Sequence, residues 1–158
     1  AMATTRPYSS KDKKALRNLV RQLHDTLQPY DRDLADADQV IDHYFSGLLS
    51  KVEETDGAIF VAEENGEMVG YVCVFGTVEP AELDEKPDRY SFIAELFISP
   101  AFRDGGIGRL LVDNAESFAR RLGTYKMELW VYARNKSAIR LYEALGYEAR
   151  IVVMSKRM

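Results

Sequence analysis

Phe97-Ile98-Ser99-Pro100-Ala101-Phe102-Arg103-Asp104-Gly105-Gly106-Ile107-Gly108-Arg109-Leu110-Leu111 is the stretch on which the reading of this chain turns. An apolar strand stops at Pro100, a turn with one arginine and several glycines follows, and a helix begins. Ile107, Leu110, Leu111, Asn114, Ala115, Phe118 and Leu122 then fall at helical spacing. Glycine lets a backbone fold tightly enough for several amides to point inward with no side chain in front of them. A helix behind such a turn adds unpaired N–H groups and the positive end of its dipole. The product is an anion site of the size of a phosphate or pyrophosphate. An ordinary glycine-rich connection has the same outline, so the spelling must decide. No Gly-Lys-Ser/Thr follows, and no Gly-x-Gly-x-x-Gly precedes a long parallel sheet, which excludes the two commonest nucleotide loops.

Bulk properties narrow the classes. A chain of 158 residues with 46% hydrophobic and 29% charged residues suits one soluble domain with a real core. A net charge of −4 gives no electrostatic footprint for nucleic acid. One cysteine excludes an internal disulfide, and two separated histidines, His24 and His43, argue against a metal. No charged-then-apolar leader and no apolar run of the roughly 18 residues a membrane span needs is present. The expectation is a cytoplasmic protein with no membrane partner.

Working outward from the glycine turn, Thr4 to Tyr8 reads as a first edge strand stopped by proline. Leu16, Leu19, Val20, Leu23 and Leu27 stripe a first helix that Pro29 closes. Asp36 caps a second helix whose apolar face is Val40, Ile41, Tyr44, Phe45, Leu48, Leu49 and Val52. Ala58–Ala62 and Met68–Phe75 flank Asn65-Gly66, a strong hairpin signal. An acidic loop from Gly76 to Arg89 leads to a central strand, Tyr90–Ile98. After the glycine turn and its helix come a strand over Lys126–Tyr132, a short helix over Asn135–Leu145 and a last strand over Tyr147–Met154. The order β-α-α-β-β-β-α-β-α-β implies one α/β (α+β) domain over residues 4–154, a mixed sheet with helices on both faces.

Arg103-Asp104-Gly105-Gly106-Ile107-Gly108 resembles the Arg/Gln-x-x-Gly-x-Gly/Ala pyrophosphate signature of the GCN5-related N-acetyltransferases, the acetyl-coenzyme A enzymes. A second stretch, Asn135-x-Ser137-Ala138-Ile139-x-Leu141-Tyr142-x-x-Leu145-Gly146-Tyr147, is similar to that family's C-terminal signature, with tyrosine replacing the usual phenylalanine at 147. The element order is the family's as well, so the resemblance covers nearly the whole chain. It implies acetyl-coenzyme A as cofactor, with Arg103, Asp104, Gly105, Gly106, Ile107, Gly108 and Arg109 at its pyrophosphate. It also implies a splay between the fourth and fifth strands, where the backbone of Leu96, Phe97 and Ile98 takes the pantetheine arm as a pseudo-strand. Asn135 falls to the pantetheine or to its own helix cap, two compatible roles. Tyr142 falls near the thioester sulfur, where a hydroxyl of ordinary pKa about 10 suits protonation of a leaving thiolate.

Glu95 is a carboxylate in an otherwise apolar strand. Strict alternation places Phe92, Ala94, Leu96 and Ile98 on one face and Ile93, Glu95 and Phe97 on the other. Its reading is a general base for the acceptor ammonium, with substrate positioning or a structural pair as alternatives; the family's frequent second acid is replaced by Ala94. Cys73 reads as core. The function so read is an N-acetyltransferase acting on a primary amine, a cationic small molecule or a basic peptide; a non-catalytic acetyl-coenzyme A binder is the alternative. Asp31, Asp33, Asp36, Asp38, Glu79, Glu82, Asp84, Glu85 and Asp88 make both acceptor-side loops acidic. A homodimer through the C-terminal end of the sheet completes the expectations.

Overall fold

Apolar residues recur every three or four positions in three helices, and each stripe finds a face of the same sheet. The computed structural model describes residues 2–158. Its elements run β1 (Thr4–Pro7), α1 (Lys13–Leu27), α2 (Ala37–Glu54), β2 (Ala58–Glu64), β3 (Glu67–Val78), β4 (Tyr90–Ile98), α3 (Ile107–Leu122), β5 (Met127–Leu129) and α4 (Lys136–Ala144). Leu16, Leu19 and Val20 of α1 with Ile41, Phe45 and Leu48 of α2 pack on Val61, Tyr71, Cys73 and Phe97. On the opposite face, Ile107, Leu111, Val112 and Ala115 of α3 pack on Phe60, Ala62, Val69, Val72, Val74 and Ile93. Leu111 and Val112 are fully buried, so truncating Leu111 to alanine costs about 2–5 kcal/mol. Cys73 is a buried free thiol, a core residue as its neighbours implied. No helix among the described residues is long and apolar enough to cross a membrane.

The strands lie in the order β1-β2-β3-β4-β5. The first three pairings are antiparallel and β4–β5 is parallel, so the sheet is mixed. Asn65 and Gly66 both take positive φ, 52° and 77°, the backbone that a two-residue turn between β2 and β3 requires. Pro29 ends α1 inside a short 3₁₀ turn, Gln28–Tyr30, as its missing N–H dictates. Asp36 stands at the cap position of α2, but its carboxylate accepts from Gln28 Nε2 at 3.3 Å instead of capping.

Three expectations are corrected. Residues Tyr147–Met154 form no strand; Ile151, Val152, Val153 and Met154 lie exposed. The neighbouring β5 spans Met127–Leu129 alone, not Lys126–Tyr132, and three residues offer little edge to pair with. The tail is held instead by Arg150, which donates to Glu85 at 2.9 Å, and Arg157, which donates to Asp33 at 2.9 Å. The third correction is in β4. Cys73 pairs with Glu95 but Val74 pairs with Ile93, which leaves Ala94 as an extra residue in a bulge. Ile93 therefore joins Leu96 and Ile98 on the α3 side, while Ala94 packs with Phe97 on the α1–α2 side.

Candidate active site

The bulge is where the sheet opens. Ser91, Phe92 and Ile93 pair with Met127, Glu128 and Leu129 of β5, and there the ladder ends. Leu96, Phe97 and Ile98 still pair with Val72, Tyr71 and Gly70 of β3, but no strand pairs with them on the β5 side, where Arg103 takes the Ile98 carbonyl. Half of β4 thus presents backbone donors and acceptors to a gap, the geometry in which an extended ligand adds as a strand.

The gap leads to the start of α3. Pro100–Phe102 forms a single 3₁₀ turn, and the chain then reaches Gly106 through Asp104, with φ of 66° at Asp104 and 84° at Gly106. A side chain is strained in this left-handed region, and aspartate tolerates it better than most residues. The Gly106 carbonyl accepts the first helical bond from Leu110 N at 3.1 Å, and no side chain caps the helix. The amides of Ile107, Gly108 and Arg109 are therefore left to a ligand or solvent. A Cβ at Gly106 would meet no atom within 4 Å, so the approach is open. At Gly108 a Cβ would lie 3.4 Å from Ile98 Cδ1 and from Leu141 Cδ2, so this position sets how closely α3 approaches β4 and α4. Uncapped amides, an open cradle and an unpaired strand edge fit a pyrophosphate followed by an amide-bearing arm.

Arg103 ties the loop to β4. Its Nε donates to the Ile98 carbonyl at 3.0 Å and its guanidinium lies 5.7 Å from the Phe97 ring centroid. Asn135 caps α4, its Oδ1 accepting from Ala138 N at 3.3 Å. Tyr142 is half-buried, and burial pushes its phenol up to about 12. Leu141, beside it, touches the Gly108 position, so α4 packs across the N-terminal end of α3.

Glu95 faces the α1–α2 side and is held by two phenols that sequence reading did not assign to the site. Tyr71 donates to Oε1 at 2.8 Å and Tyr44 donates to Oε2. Burial raises the Glu95 pKa above the usual carboxylate range, and the two hydroxyls pull against that rise. Tyr44 is 42% exposed, so it is not part of the α2 core stripe in which its spacing placed it. Its phenol roofs the carboxylate. Over the same mouth, Tyr132 donates to Asp31 at 3.0 Å and stacks on Tyr30, with ring centroids 6.3 Å apart. Arg134 donates to the carbonyls of Pro29 and Tyr30 at 3.1 Å each, which pins the α1–α2 linker to the segment after β5. A polar-tipped aromatic inside an apolar stripe was the available signal for Tyr44. The grooves at Thr77–Tyr125 and between α1 and α2 contain none of these residues.

A parted sheet, an uncapped glycine turn and a shielded carboxylate together define a scaffold for a phosphorylated acyl carrier. The model of the acetyltransferase (GNAT) family matches residues 17–147, and the chain belongs to that family, whose cofactor is acetyl-coenzyme A. An uncharacterized N-acetyltransferase of Methanocaldococcus jannaschii is 37% identical over 114 residues, 70% of this chain and 46% of the relative. The chain thus spans about half the length of that curated relative. A tetramutant of a Bacillus halodurans protein has the same fold at a TM-score of 0.85 and 22% identity, covering 98% of this chain and 99% of its own. The aminoglycoside N-acetyltransferase AAC(6')-Iy, solved with a coenzyme A bisubstrate analogue, superposes at 0.74 and 19% identity over 100% of both chains.

Proposed function

We propose that this chain is an N-acetyltransferase that moves the acetyl group of acetyl-coenzyme A directly to a primary amine. The observation that carries the reading is the position of Glu95 on the half of β4 that β5 leaves unpaired, on the strand that leads into the uncapped α3 amides. The amides of Ile107, Gly108 and Arg109, presented by Asp104, Gly105 and Gly106, hold the pyrophosphate; the backbone of Leu96, Phe97 and Ile98 holds the pantetheine arm, with Asn135 nearby. When bound, the cofactor supplies an acetyl thioester, whose C–S bond is exchanged for the C–N bond of the amide product. Glu95 takes the ammonium proton, directly or through water, so that the acceptor nitrogen is neutral when it attacks. The Tyr71 and Tyr44 hydroxyls favour the ionised form of that carboxylate against its burial. Tyr142 Oη holds the proton that the leaving sulfur takes up; a neutral phenol at pH 7 is what a pKa of about 12 provides.

The acceptor is a cationic amine. Arg21, Arg157, Arg89 and Arg150 pair with Asp38, Asp33, Glu79 and Glu85, which removes those acids from the attraction. The pull on an ammonium therefore rests on Asp31 and Glu95 at the mouth and on the exposed Asp36, Glu82, Asp84 and Asp88. The aminoglycoside enzyme that shares the fold is a neighbour consistent with this class. A consumption assay with acetyl-coenzyme A across spermidine, kanamycin, free amino acids and a lysine-rich peptide tests it. Cationic acceptors should lead, with KM rising as salt is added. A leading neutral or acidic acceptor contradicts the acceptor class, and coenzyme binding with no turnover of any amine contradicts the catalytic reading.

The exposed apolar side chains of Ile151–Met154 support an association of two copies through the C-terminal end of the chain. A homodimer at micromolar concentration follows. A purely monomeric species in sedimentation velocity contradicts it.

A further inference from the structure

The position at which this chain departs from its family's C-terminal signature is used in the structure. Tyr147 packs edge-on against Tyr142, with ring centroids 5.9 Å apart and planes at 67°. Its hydroxyl donates to Glu116 Oε2 of α3 at 2.7 Å, a bond that phenylalanine cannot make. Glu116 is itself mostly buried and faces Arg120, one turn on, at 3.6 Å. At its other end Tyr147 is fixed by backbone, with Tyr147 N donating to the Tyr142 carbonyl at 3.0 Å as the chain turns through Gly146. The Tyr147 ring is thus held at both ends, by α3 through its hydroxyl and by α4 through its amide.

We propose that Tyr147, anchored by Glu116, is a positioning residue for the Tyr142 hydroxyl; this rests on the reading of Tyr142 as the group that protonates the leaving sulfur. α3 begins at the amides assigned to the pyrophosphate and α4 carries the proton donor, and the Glu116–Tyr147 bond is a polar tie between them. A tyrosine ring pivots about two side-chain bonds, so the place of its hydroxyl depends on what flanks the ring. Tyr147 flanks it with an aromatic edge that cannot itself swing while Glu116 holds it. Misplacing a reacting group by a fraction of an ångström costs rate and leaves cofactor affinity intact.

The test is a double-mutant cycle on the full chain. Turnover is measured with acetyl-coenzyme A and whichever of spermidine, kanamycin or a lysine-rich peptide turns over fastest, and coenzyme A affinity by calorimetry. Tyr147→Phe should lower kcat by roughly 3- to 10-fold, with coenzyme A affinity within about twofold of the parent. In a Tyr142→Phe background the same change should cost nothing further, because the group it positions is gone. Glu116→Gln keeps an acceptor oxygen for the Tyr147 hydroxyl and should retain more turnover than Glu116→Ala. With ¹³C-labelled tyrosine, the Tyr142 ring resonances should shift in Glu116→Ala in the absence of any acceptor. Independent, multiplying losses in the double variant, or an unmoved Tyr142 resonance, overturn the positioning role. A Tyr142→Phe variant with parental turnover removes the reading on which the proposal rests, a distinct outcome.

Discussion

At Phe92 and Ile93, β4 is paired on both edges, to β3 and to β5; from Glu95 to Ile98 it is paired to β3 alone. The two halves belong to one strand of similar composition, yet the first is ordinary sheet interior and the second is a site. One extra residue at Ala94 marks the change. It sends Ile93 to the α3 core and leaves Glu95 facing Tyr44 and Tyr71, just past the point where β5 departs. A backbone that closes its own hydrogen bonds cannot receive a ligand by strand addition, and one that leaves them open must be completed by something.

The contrast can be broken at the open half. Glu95→Gln should lower kcat/KM by roughly 10²-fold or more. In the parent, kcat/KM should rise with pH as Glu95 loses its proton. The limb lies above the usual carboxylate range, because burial raises this group's pKa. The glutamine variant should lack the limb, and a limb that persists assigns it to another group.

Gly106→Val acts at the far end of the same gap. The position sits at φ 84° with open space around it, so the cost is backbone strain of about 1–2 kcal/mol together with a side chain in the anion approach. Coenzyme A affinity should fall roughly 10-fold by calorimetry, with the cooperative melt retained; parental affinity would place the pyrophosphate elsewhere. A finer probe is Tyr44→Phe. It removes a donor that favours the ionised Glu95, so the ascending limb should move to higher pH with the maximal rate within a few-fold of the parent. Movement to lower pH would contradict the arrangement.

The paired side of the sheet supplies the control. Arg6 donates to Asp12 at 2.7 Å and to Glu63, and holds the Asp12 carboxyl well below the usual carboxylate range. A depressed pKa contributes stability that is complete above the ordinary carboxylate value and is lost as pH falls toward the folded one. Asp12→Asn should therefore cost about 1 kcal/mol or less at pH 7, since Arg6 is partly in solvent, and the cost should shrink in acid. Turnover should not change. Thermal melts against pH, beside a rate at pH 7, read both.

Much of the fold was legible because it rests on local rules. Asn65-Gly66 announced its hairpin, Pro29 its helix end and the glycine turn its uncapped helix. What escaped the sequence were features that depend on a partner. Period-two counting has no means of locating a bulge, so it placed Ile93 beside Glu95. An apolar run such as Ile151–Met154 has strand composition whether or not an edge awaits it. Tyr44 looked like core because its ring fits the α2 stripe, while its hydroxyl serves a carboxylate 51 residues away.

Amide hydrogen exchange with and without coenzyme A tests the two-halved strand most directly. Protection should increase over residues 94–98 and 107–109 on binding and stay constant at residues 92 and 93, already paired on both edges. Unchanged exchange at 94–98 in a saturated complex, or protection gained equally along the whole strand, would contradict the open edge of β4 as the cofactor's seat.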